Sequence, residues 1–133
     1  MKTVKNARAG FRTVATNMDD YSEAMNTGGY SLSANTGDHS KAMNAGFRSS
    51  AINTGDRSEA AVACDGSVAI VTGSDSMAKA GLGSAIVIAE RGEFNGKTYP
   101  LINIKAAIVD GEKIKANTWY TLRNGEFMEV KIW

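Results

Sequence analysis

A nine-residue unit, clearest in Arg48-Ser49-Ser50-Ala51-Ile52-Asn53-Thr54-Gly55-Asp56, recurs without insertion from near the N-terminus to about Gly83. So short a fixed period constrains the chain strongly, because one unit buries its small face only by stacking on its equivalents. Laid under one another, the units align Thr13, Ser22, Ser31, Ser40, Ser49, Ser58, Ser67 and Ser76 in one column. Two residues later come Ala15, Ala24, Ser33, Ala42, Ala51, Ala60, Ala69 and Ala78, and two further on Asn17, Asn26, Asn35, Asn44 and Asn53, then Val62, Val71 and Ala80. Alternate positions of an extended strand face one side, so these three columns form a common inner face. The following positions carry the turn, as in Thr36-Gly37-Asp38 and Thr54-Gly55-Asp56, where glycine is expected to supply a positive φ.

Alternate corners match better than adjacent ones. Ala9-Gly10-Phe11-Arg12 pairs with Ala45-Gly46-Phe47-Arg48, while Glu23, Lys41 and Glu59 fall on one set of units and Val14, Leu32, Ser50 and Val68 on the other. One coil therefore holds two units, with two short strands, two corners and two unlike faces. The small inner residues suit backbones that lie close together. Buried serine needs a partner, and stacked asparagine amides are expected to bond one another up the axis and to satisfy corner groups; solvated turn chemistry is the other reading of that column.

The run Ser67-Val68-Ala69-Ile70, Gly73 and Ser76-Met77-Ala78 resembles the head repeats of trimeric autotransporter adhesins, which form a parallel β-roll, although the period here is shorter. The repeated units, followed by Ala80-Gly81-Leu82-Gly83-Ser84 and the ending Val109-Asp110-Gly111 through Asn124-Gly125-Glu126-Phe127, are similar to small nonapeptide-repeat proteins of phages and gut-type bacteria. That resemblance implies a mobile-element context and transfers no catalytic residue.

Beyond Gly83 the pattern changes to longer strands, with Asn95-Gly96, Asp110-Gly111 and Asn124-Gly125 as hairpin signals. The expected architecture is all-β, a parallel β-solenoid over 1–84 with an antiparallel β-meander over 85–133 capping its end. Such an end requires a cap, because it exposes unpaired backbone. At the other end Lys2, Lys5 and Arg8 are expected to deter pairing by charge.

The formal net charge of +1 gives no long-range pull on nucleic acid or an anionic membrane. Nucleic acid stays open as a partner without being indicated, and no membrane association is expected. Met1 to Lys5 lack the apolar run of a signal peptide, so a cytoplasmic location is expected. Cys64, the only cysteine, excludes an internal disulfide and reads as a small filler. Asp20, Asp38 and Asp56 occupy corners comparable to those of calcium-binding nonapeptide rolls, but the paired glycines of such loops are missing from most units. His39, the only histidine, reads as an exposed corner variant, and Gly81-Leu82-Gly83 lacks the setting of a phosphate loop. No enzyme activity, metal or cofactor is expected.

Two surfaces remain. The corner columns gather Phe11, Arg12, Tyr30, Phe47 and Arg48 on one edge as a candidate partner site, with aromatic stiffening of the corner as the alternative. Val14, Leu32, Ile52, Val68 and Ile70 make an outward apolar face, which self-association or a folded-back meander would cover. The functional expectation is a non-enzymatic binding module that forms a homo-oligomer and engages a host macromolecule, in a phage setting a host defence nuclease that it inhibits. A structural piece of a phage or surface fibre is the alternative.

Overall fold

The computed structural model describes residues 5–131, so Lys2 of the basic N-terminal group lies outside the described residues. All regular structure there is β. Nine short strands occupy the repeat: β1 Lys5–Arg8, β2 Val14–Asn17, β3 Glu23–Asn26, β4 Leu32–Asn35, β5 Lys41–Asn44, β6 Ser50–Asn53, β7 Glu59–Val62, β8 Val68–Val71 and β9 Met77–Ala80. Four more follow: β10 Ala85–Arg91, β11 Leu101–Ile108, β12 Tyr120–Arg123 and β13 Glu126–Glu129.

Odd strands stack in sheet A, ordered β1-β3-β5-β7-β9-β12-β13, and even ones in sheet B, ordered β11-β10-β8-β6-β4-β2. Each repeat strand pairs in parallel with its equivalent one coil on, as Val14 with Leu32 and Glu23 with Lys41. Two units close one coil. The Ser, Ala and Asn columns face inward and are buried in both sheets from Ser22 on, forming a core of small polar and apolar groups.

Serine, rather than asparagine, forms the axial ladder. The backbone N–H of Ser22, Ser31, Ser40, Ser49, Ser58 and Ser67 each donates to the Oγ of the serine one coil on, at 2.9–3.3 Å. The hydroxyls in turn donate to corner carbonyls, as Ser58 to Asp56 at 3.2 Å. Asparagine bonds across the coil instead: Nδ2 of Asn17, Asn26, Asn44 and Asn53 donates to the carbonyls of Glu23, Leu32, Ser50 and Glu59, tying the end of one strand to the start of the next. A side-chain amide is long enough to span the corner, whereas a serine hydroxyl reaches only along the stack. Thus the expected amide ladder is replaced by amide struts.

The corner glycines also act differently from expectation. Positive φ falls on the residue before each serine, at Arg12, Tyr21, Tyr30, His39, Arg48, Arg57, Gly66 and Asp75. The glycine stands two residues earlier, where stacked corners approach most closely. A Cβ on Gly28, Gly37, Gly46, Gly55 or Gly73 would lie 2.0–2.1 Å from the carbonyl oxygen one coil behind. Glycine is present there for lack of a Cβ rather than for its φ. Gly10, in the first corner, meets only the Thr13 methyl at 3.3 Å.

The C-terminal region is two hairpins rather than one meander. β10 continues sheet B, parallel to β8 and antiparallel to β11, while β12 joins sheet A beside β9 and turns into β13. Both sheets end abruptly at the last coil, so capping them takes one hairpin each. Only Asn124-Gly125 makes the tight turn expected, with both residues at positive φ. Asn95-Gly96 sits in the loop 92–100, and Asp110-Gly111 begins the crossover between the sheets. Between the hairpins Ile86, Ile88, Val109, Ile114, Tyr120 and Leu122 pack on Val62 and Val71, giving the cap the apolar core that the roll lacks.

Candidate interaction surfaces

The side of the roll where sheet A strands turn into sheet B, here edge I, brings Phe11, Arg12, Tyr30, Phe47 and Arg48 together as the repeat predicts. Phe47 meets Phe11 and Tyr30 edge to face at centroid distances of 6.2 and 5.4 Å, and Arg48 Nη1 donates to the Tyr30 hydroxyl at 3.1 Å. The two phenyl rings close over Gly29, where a Cβ would stand 3.0 Å from Phe47 and 3.2 Å from Phe11. Packing of this kind stiffens the corner. It also leaves Phe11 69% exposed on the rim of a hollow floored by Gly10, Gly28 and Gly46. Cys64 lines that hollow, its thiol directed at the Ala45 carbonyl.

Edge II, where sheet B strands turn into sheet A, has the opposite character. It carries Asp19, Asp20, Asp38, Asp56 and Asp75 against Arg57. Three of these carboxylates serve the backbone: Oδ1 of Asp20, Asp38 and Asp56 accepts the N–H one coil on, at 2.8 Å each. His39 is exposed and stacks flat on Tyr21 at 4.8 Å. Asp38, His39, Asp56, Arg57, Ser74, Asp75 and Tyr99 line a hollow of about 160 Å³. Among the described residues no three His, Cys, Asp or Glu side chains group closely enough to hold a metal ion.

The five candidate interface residues lie together on the outer face of sheet B. Val14, Leu32 and Val68 share one outward column with Ser50, and Ile52 and Ile70 the other with Thr16 and Ala34; Leu32, Ile52, Val68 and Ile70 are half-buried among their neighbours. The cap does not fold back over them. Instead β11 lengthens the face, because pairing of Ala85 with Ile108, Val87 with Ala106 and Ala89 with Ile104 aligns those side chains outward. Ile104 and Ile108 are 59% and 70% exposed. They were not singled out from sequence, although the alternation Ile102, Ile104, Ala106, Ile108 carried the signal. No charged residue faces outward in the paired span from β2 to Ile104.

Two carboxylates are held below their ordinary pKa. Asn103 and the backbone N–H groups of Gly125 and Asn124 donate to Glu90, stabilising its charged form, and Glu112 and Ile114 N–H do the same for Asp110. Glu90 thereby ties the sheet B hairpin to the turn of the sheet A hairpin. Among the described residues no helix is long and apolar enough to cross a membrane. No family model, curated protein or solved structure matches this chain.

Proposed function

We propose that this chain is a non-catalytic binding module that acts as a homo-oligomer, joined through the outer face of sheet B and offering the aromatic corner of edge I to a protein partner. The observation that carries the reading is the uncharged, largely apolar face, six strands deep, that no other described segment covers. An apolar surface of that continuity costs free energy in water and gains it when paired, and a flat uncharged face is complementary to itself. A second copy is the simplest cover. For the further partner, the acidic edge and near-neutral net charge argue for protein over a polyanion. The phage-type repeats make a host protein, a defence nuclease among them, the class to test.

The decisive measurement is mass by sedimentation equilibrium for the native chain beside Leu32→Glu and Ile52→Glu. The native chain is expected to associate at micromolar concentration and both variants to stay folded monomers. A native chain that remains monomeric removes the reading. With association established, Phe47→Asp is expected to lose the host partner in co-purification while keeping the native oligomer mass.

A further inference from the structure

The face of sheet B is too small to join two copies alone. Six strands about 4.8 Å apart, four of them four residues long and β10 and β11 seven and eight, at about 3.3 Å per residue, give roughly 490 Å², so two faces amount to roughly 1,000 Å². Stable specific interfaces begin at about 1,200 Å². The corners that flank the face must take part, and the two edges differ in charge. The repeat corners of edge I carry Arg12 and Arg48 with one carboxylate, Asp65, while those of edge II carry five carboxylates and Arg57, with Arg91 and Arg123 of the cap reaching the Thr72 carbonyl and Asp75 at the last of them. By chain order Arg12, Tyr30 and Arg48 come directly before the inward-facing Thr13, Ser31 and Ser49 that lead into sheet B.

Symmetry decides which edges meet when two copies of sheet B lie face to face. A twofold axis across the solenoid, along the strands, sets the coils in opposite directions and places edge II on edge II, carboxylates against carboxylates. A twofold axis along the solenoid keeps the coils in one direction and sets each edge I against the partner's edge II. We infer that this chain forms the second kind of dimer, with the arginines of edge I on each copy facing the edge II aspartates of the other. This rests on the self-association proposed above and adds its direction.

A separate observation favours a role for those corner side chains. Arg12, Tyr30 and Arg48 adopt φ of 50–56°, a backbone conformation that costs side chains but not glycine, and Gly66 fills the same position one coil on. Glycine fits the corner, yet three large side chains occupy it. Phe11 and Phe47 lie one residue further from sheet B and remain outside the paired rims.

The test is the dimer dissociation constant of the native chain and of Arg12→Glu/Arg48→Glu, each across a salt series, with melting curves to show that both are folded. Same-direction pairing predicts at least tenfold weaker association for the double variant at low salt, and native association that weakens as salt rises. Opposed coils predict no such loss for the double variant, since edge I would face edge I with like charges in both forms, and native association that strengthens as salt rises, because added salt would relieve the repulsion of edge II facing itself. A native dimer abolished by Ile52→Glu yet unweakened by the charge reversal and by salt would overturn the direction and spare the apolar face. Absence of any native dimer would remove both.

Discussion

Sheets A and B share one inner face and have contrasting outer ones. Inward, both repeat the same Ser, Ala and Asn columns, buried to the same degree. Outward, sheet A sets Glu23, Lys41 and Glu59 in register, opposite charges side by side, with Met25 and Met43 beyond them and Lys79 over the Trp119 ring at 4.8 Å. That is a solvated surface stabilised by cross-strand pairs. Sheet B outside has Val14, Leu32, Ile52, Val68, Ile70, Ile104 and Ile108 and no charge over the same coils. Because sheet A stacks with one of its two outer columns charged, stacking does not require a wholly uncharged exterior. Stacking alone therefore leaves the uncharged exterior of sheet B without an account, and the self-association proposed above supplies one.

The comparison breaks first at the corners, which both sheets share. Gly46→Ala on edge I and Gly55→Ala on edge II place a Cβ against the backbone behind, and each is expected to cost about 3 kcal/mol or more in urea unfolding. Gly10→Ala, with nothing closer than a methyl group, is expected to cost much less. A tolerated Gly55→Ala would show that the two edges are not built alike. Next come the outer faces, where Met43→Lys on sheet A is expected to leave the oligomer mass unchanged. Ile52→Lys on sheet B is expected to weaken association by at least tenfold, about 1.4 kcal/mol. Equal effects would erase the distinction between the sheets.

Smaller effects belong to the strained column. Arg12→Gly and Arg57→Gly relieve a left-handed residue on each edge, and each is expected to raise the melting midpoint of the monomer by the equivalent of about 1 kcal/mol. On edge I the same change is expected to weaken the dimer. The smallest effect concerns the link between the sheets. Glu90 has its pKa lowered in the fold, so it contributes stability above its unfolded value, and that contribution is lost as pH falls through the folded one. Amide exchange at Asn124 and Gly125 is expected to speed up below the ordinary carboxylate range, and already at neutral pH in Glu90→Gln.

What was legible in the sequence follows from the repeat. Seven serines aligned with Thr13 gave the inner face, and the better match of alternate corners gave the coil of two units and the two edges, because parallel stacking brings equal positions together. The role of glycine was misread, since a one-letter pattern cannot separate a need for positive φ from a need for no Cβ. The asparagine amides satisfy corner groups as expected, at the Ser31 and Ser40 carbonyls, but their bonding across the coil instead of up the axis was not legible, as reach across a corner depends on coil thickness. After Gly83 periodicity ends, and Asp110-Gly111 looks the same in sequence whether the chain turns back in one sheet or crosses to the other. Edge charge was readable but was hidden in the near-neutral total, where the aspartates of edge II offset lysine and arginine elsewhere.

The serine rail has an evolutionary consequence. Every rung lies eighteen residues from the next along the repeat, so gain or loss of eighteen residues between two corners rejoins the rail without disturbing register. Such a gene can grow or shrink by whole rungs of about 4.8 Å, like a ruler cut at its own graduations. Each added rung widens both exteriors at once, so length and outer area would be inherited together.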